Sequence, residues 1–163
     1  MTGLWCRIRS AVMIVVSVFF LFLGPSDVSA QSEDEEAVKN LVESFLIAVG
    51  EGNLDLLPGM FVSDANIGTA GLRGDSWVSS TMTFEKWMSS LRGRTTWERF
   101  REPVSEYTIH VEDSMMAFVR ADATVIRDGQ ARSHNIDYFT LVREDGEWKF
   151  LSASYVARPI ESE

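Results

Sequence analysis

Polar and apolar positions alternate along the second half of this chain, and two Asp-Gly pairs punctuate the alternation. Asp128-Gly129 joins Met115–Arg127 to Gln130–Val142, and Asp145-Gly146 joins that segment to Glu147–Val156. A two-residue type I′ turn needs positive φ at both central positions, so Asp-Gly between alternating segments predicts a β-hairpin. Two such hairpins in succession predict three antiparallel strands. The first half reads differently. Val38, Leu41, Val42, Phe45, Leu46 and Val49 recur at helical spacing, with Ser32 and Glu35 forming a capping box ahead of them. Gly50 and Gly52 end that helix. Asn53 opens a short second helix over Leu54–Phe61, which Pro58 should kink or cut short.

Ala65–Ala70 is a short strand candidate, and Gly71–Met82 reads as a Gly/Ser-rich loop. Thr83 caps a third helix with Phe84, Trp87, Met88 and Leu91 on one face, and Gly93 ends it. Alternation returns over Trp97–Val111. Pro103 disrupts its start, so the strand proper begins near Val104. Helices first and an antiparallel meander after them make the fold class α+β.

If both hairpin loops hold two residues, the register is calculable. Arg127 faces Gln130 and Glu144 faces Glu147, and side chains alternate in face with period two. One face then carries Ala117, Val119, Ala121, Ala123 and Val125, with His134, Ile136, Tyr138, Thr140 and Val142, then Lys149, Leu151, Ala153 and Tyr155. The other carries Phe118, Arg120, Asp122 and Thr124, with Asn135, Asp137, Phe139 and Leu141, then Trp148, Phe150, Ser152 and Ser154. The small residues of the first face leave room for helices and a cavity. The second face is too apolar for open solvent and too charged for a core, which suggests a second subunit.

The N-terminus has a separate pattern. Arg7 and Arg9 precede the apolar run Ala11–Leu23, Gly24-Pro25 breaks it, and Val28-Ser29-Ala30 is a small-residue cleavage pattern. Residues 1–30 thus read as a secretory signal peptide and 31–163 as a single domain, secreted or periplasmic. The alternative is an uncleaved anchor, although the run is shorter than the roughly 20 residues that span a bilayer. Cys6 is the only cysteine, so the domain has no disulfides and no cysteine-type zinc or iron–sulfur site. Without Arg7, Arg9 and Asp27 it holds 13 Lys+Arg against 23 Asp+Glu, a net charge of −10. Such acidity argues against nucleic acid as a partner.

The stretch "AVGEGNLDLLPGMFVSDANI" and the closing hairpin "DYFTLVREDGEWKFLSASY" resemble the nuclear transport factor 2-like superfamily in its SnoaL-like branch, and the element order agrees over about residues 33–158. The resemblance implies a cystatin-like cone: a curved, mostly antiparallel sheet wrapped around about three helices from the N-terminal half. It also implies a ligand pocket on the concave side and frequent dimerisation through the convex side. It is nearly silent on activity, because the superfamily hosts both enzymes and binding domains. Its ketosteroid isomerases use a helix tyrosine, a base Asp and a protonated sheet Asp. The corresponding positions here are Phe45, Thr69 and Tyr138, and two of those three cannot perform the role.

The expected function is an exported domain that binds a small apolar molecule, with no cofactor or metal and no assured catalysis. The alternatives are a dehydratase, isomerase or cyclase acting by acid–base chemistry, and a homodimeric accessory domain. The expected pocket residues are Phe45, Trp87, Ala121, His134, Tyr138, Ala153 and Tyr155, with His134 and Tyr138 as candidate acid–base groups. His110 is the only other histidine, on a strand near a solvent-facing turn. The expected dimer face is Phe118, Phe139, Trp148 and Phe150. If the two sheet faces were exchanged, the polar cluster Asp137, Arg120, Asp122 and Asn135 would become the pocket.

Overall fold

The structure, a computed structural model, describes residues 27–160. The signal peptide expected over 1–30 therefore lies outside the described residues except for 27–30. Helix α1 runs Asp27–Glu51, so Ser32 sits inside the helix rather than at its cap. Gly52 ends α1 with φ +77, and Asn53 N–H reaches back to the Ala48 carbonyl at 2.8 Å, closing the last turn. A 3-10 turn follows over Leu54–Met60, the short form that Pro58 imposes.

Strand β1 (Phe61–Arg73) pairs with β2 (Ser76–Thr83), so the segment expected to be a loop is half of a hairpin. Its Gly- and Ser-rich composition concealed it: β2 is an exposed edge on which even Trp77 and Val78 stay exposed. Helix α2 (Phe84–Arg92) is capped by the Thr83 side chain, which accepts from Lys86 N–H. Strands β3 (Val104–Glu112), β4 (Met116–Arg127), β5 (Gln130–Glu144) and β6 (Glu147–Pro159) complete one sheet in the order β2-β1-β6-β5-β4-β3. Every neighbouring pair is antiparallel except β1 with β6, which is parallel. Both Asp-Gly turns have positive φ at each residue, as type I′ requires.

The register holds near each turn and then shifts by one residue. Ile126 pairs with Ala131, but Val125 pairs with Ser133, leaving Arg132 as a bulge. Leu141 pairs with Phe150, but Thr140 pairs with Ser152, leaving Leu151 as a second. An extra residue reverses which face every later side chain takes. Strand β5 is therefore inverted from the expectation. Asn135, Asp137, Phe139 and Leu141 are buried on the inner face, and His134 and Tyr138 lie on the outer face. The second bulge restores Ala153 and Tyr155 to the inner face, opposite Phe139 and Asp137.

These shifts also correct the expected dimer face. Phe139, Trp148 and Phe150 belong to the core, and Phe118 alone of the four is exposed. The core centres on Phe45 of α1, whose ring meets Phe61, Phe139 and Phe150 at centroid distances of 5.5, 5.8 and 5.1 Å. Phe84 of α2 stacks on Phe61 at 4.3 Å. At the other end, Asp34 is buried. It accepts from the Arg143 guanidinium and from Trp148 Nε1 at 3.4 Å, tying α1 to the β5–β6 hairpin. Burial pushes the Asp34 carboxyl up, but bonds from Ser114 and Arg143 outweigh it and hold the pKa below the ordinary value.

Candidate functional site

Residues 94–103 cross the C-terminal end of α1 as an irregular strap. Two glycines let them lie there. A Cβ on Gly50 would stand 2.4 Å from the Phe100 carbonyl oxygen, and one on Gly52 would stand 2.7 Å from the Trp97 ring. Phe100 N–H and Trp97 Nε1 both donate to the Gly50 carbonyl, at 3.1 and 3.3 Å. The glycines that stop the helix thus also seat the strap.

Between strap, α1, α2 and the concave sheet lies a cavity of about 310 Å³. Phe45, Trp87, Trp97 and Phe100 supply aromatic walls, and Ala153, Tyr155 and Ala157 supply the floor. Arg94 and Arg127 also line it, each held over a strap ring. Arg94 lies 5.3 Å from the Trp97 centroid and Arg127 lies 5.7 Å from that of Phe100. A second, more open cavity of about 430 Å³ lies against α1 and β3 and shares Leu46, Phe100 and Glu102 with the first.

The polar side of the first cavity comes from β5 and the strap. Ser133 Oγ donates to Asn135 Oδ1 at 3.0 Å, and Asn135 Nδ2 donates to Glu102 Oε1 at 2.6 Å. Burial pushes the Glu102 carboxyl up, partly offset by the Asn135 bond and the Arg127 charge. Asp137 is more extreme. It is 4% exposed, and its Oδ2 has no hydrogen-bond partner among the described residues. Burial first, then the Glu102 and Asp122 charges, push its pKa up to about 8. Asp137 therefore stands largely protonated at neutral pH, as a hydrogen-bond donor. Burial and the nearby Glu102 and Asp137 charges likewise raise the Tyr155 phenol and keep it protonated.

Of the residues expected in the pocket, Phe45, Trp87, Ala153 and Tyr155 line this cavity. Ala121 is fully buried in the core beneath it. His134 and Tyr138 are on the opposite face, where His134 Nε2 lies 3.8 Å from Asp122 Oδ1 and Arg120 pairs with Asp122. The bulge at Arg132 put them there. His110 is exposed and bonds Glu112 at 2.7 Å. The polar cluster divides accordingly: Asp137 and Asn135 face inward, Arg120 and Asp122 outward. The sheet position that the isomerase comparison assigned to Tyr138 is outward, and its neighbour Asp137 takes the interior. Trp97, Phe100 and Glu102 lie where the sequence predicts the start of an alternating strand, and Arg94 lies in the gap before it, so the sequence expects none of them in the site.

Three solved structures show the same fold at low identity. An NTF2-like protein with a cystatin-like fold from Novosphingobium aromaticivorans has TM-score 0.63 and 16% identity, covering 80% of this chain and 85% of that one. A protein of unknown function with a cystatin-like fold from Nostoc punctiforme has TM-score 0.63 and 15% identity, covering 78% and 93%. A protein described as "Putative Scytalone Dehydratase", from Novosphingobium aromaticivorans, has TM-score 0.62 and 18% identity, covering 80% and 88%. A search of curated proteins gave no match. Residues 33–156 match the model of a family described as "Putative lumazine-binding". The chain belongs to that family, and through it to the NTF2-like superfamily.

Proposed function

We propose that this chain is an exported domain that binds a small, flat, largely apolar molecule in the cavity beneath the strap. The observation that carries the reading is the combination of aromatic walls with one buried carboxyl, Asp137, whose Oδ2 has no hydrogen-bond partner among the described residues. Ligand sites are commonly apolar clefts with a few converging polar groups, and about 300 Å³ is the lower end of their volumes. Unpartnered buried polar atoms are rare in native proteins. The family's description names lumazine, so a pteridine-sized ring is a reasonable first probe. Native mass spectrometry of protein purified from its source tests the reading. A retained small molecule that Ala157→Phe excludes supports it. Empty wild-type protein, together with no quenching of Trp87 and Trp97 fluorescence by lumazine or naphthalene, overturns it. Export rests on the Arg7–Ala30 pattern and is checked by intact mass, which should begin at Gln31.

A second reading, acid–base catalysis of the dehydratase or isomerase kind, is favoured by the same Asp137. A carboxyl titrating near 8 exchanges protons efficiently near neutral pH. This role passes to Asp137 from His134 and Tyr138, which lie outside the cavity. Conversion of a bound probe that Asp137→Asn abolishes would support it. Unchanged probe after prolonged incubation would leave only the binding role.

A further inference from the structure

We propose that the ligand is a flat nitrogen base, a heteroaromatic ring with an amidine-type edge in which a ring nitrogen adjoins an exocyclic amino group, seated with that edge on the Asp137 carboxyl. The inference rests on the cavity being the ligand site and adds the chemistry of its occupant. The charges in the cavity are unevenly committed. Arg127 bonds Glu98 at 3.4 Å and lies over Phe100, and Arg94 lies over Trp97. Glu102 accepts from Asn135. Asp137 keeps an oxygen with no partner, on a side chain more than nine-tenths buried.

The groups that act on Asp137 are acids: Glu102 from the strap and Asp122 from β4. Tyr107 of β3 and Tyr155 of β6 are near enough to feel its charge, and both hold their protons. The two acids repel an anionic ligand edge and favour a cationic one. A carboxylate accepts two parallel N–H bonds from an amidine, a strong geometry because both partners are charged. The Asp137 proton supplies that charge. Its O–H bond breaks, the proton passes to the ring nitrogen, and the lone pair left on oxygen accepts the new N–H bond. The aromatic walls then face a delocalised cation, which their π faces attract.

A pair of probes with the same two fused rings isolates the edge: 2,4-diaminopteridine, which presents the amidine, and lumazine, which presents carbonyls. Naphthalene, with no polar edge, reports on the cavity alone. Tryptophan quenching and calorimetry at pH 7 should show the diamino compound binding at least ten-fold tighter than lumazine. Asp137→Asn, checked for an intact melting transition, should erase that preference. Equal binding, or tighter lumazine binding, overturns the ligand class and leaves the cavity reading standing. Preference that survives in Asp137→Asn overturns the role of Asp137. Failure of all three probes overturns the inference together with the cavity reading.

Discussion

Asp137 links pH to stability at the scale of one side chain. Its folded-state pKa, about 8, is above the 3.8 of an ordinary aspartate. The folded protein therefore holds a proton there that the unfolded chain releases above pH 4. The associated stability is complete below the unfolded value and is lost as pH rises through 8. Asp137→Asn removes this loss. Urea titrations should find the variant more stable than wild type at pH 8, by on the order of a few kcal/mol, with the difference shrinking towards pH 4. Two alanines give a contrast of a different kind. Ala121 is fully enclosed, so Ala121→Phe should cost about 1–3 kcal/mol by overpacking. Ala157 lines the cavity, so Ala157→Phe should block binding with a far smaller change in melting temperature.

At the scale of elements, the bulges decide which side chains face inward. Arg132 and Leu151 each add one residue to a hairpin arm, and between them β5 turns its carboxyl, amide and phenylalanine inward. Deleting Arg132 should force His134, Ile136 and Tyr138 towards the core. The expected outcome is loss of the cooperative unfolding transition, read by near-UV circular dichroism. Phe139→Lys should also unfold the protein rather than dissociate a dimer, because Phe139 packs 5.8 Å from Phe45 in the core. These features mark how far the sequence could be read. Helical spacing, the Thr83 cap and the Asp-Gly turns are local signals, and each element they announce is present. A bulge has no comparable local signature: Arg132 and Leu151 are ordinary strand residues, and only the packing beyond them records the shift. The Ala121 and Ala153 face was assigned correctly because the two shifts cancel across β5. Asp137 was visible as a member of a polar cluster, but its face was not. Glu102 was hidden by distance, since it meets Asn135 from 33 positions away.

The whole molecule is one sheet that folds its two ends together. Strand β6, the last among the described residues, lies between β1 and β5, pairing in parallel with β1. Phe150 of this strand is fully buried and meets rings from α1, β1 and β5. Neither the hairpin β1–β2 nor the meander β3–β5 can complete its apolar face without it. A chain ending at Asp145 should therefore be unfolded, with narrow amide dispersion in its NMR spectrum. The position of β6 sets a schedule as well as a shape. During synthesis the core cannot close until Glu147–Pro159 has been added, so the helices and strands that precede it must wait with their apolar faces uncovered.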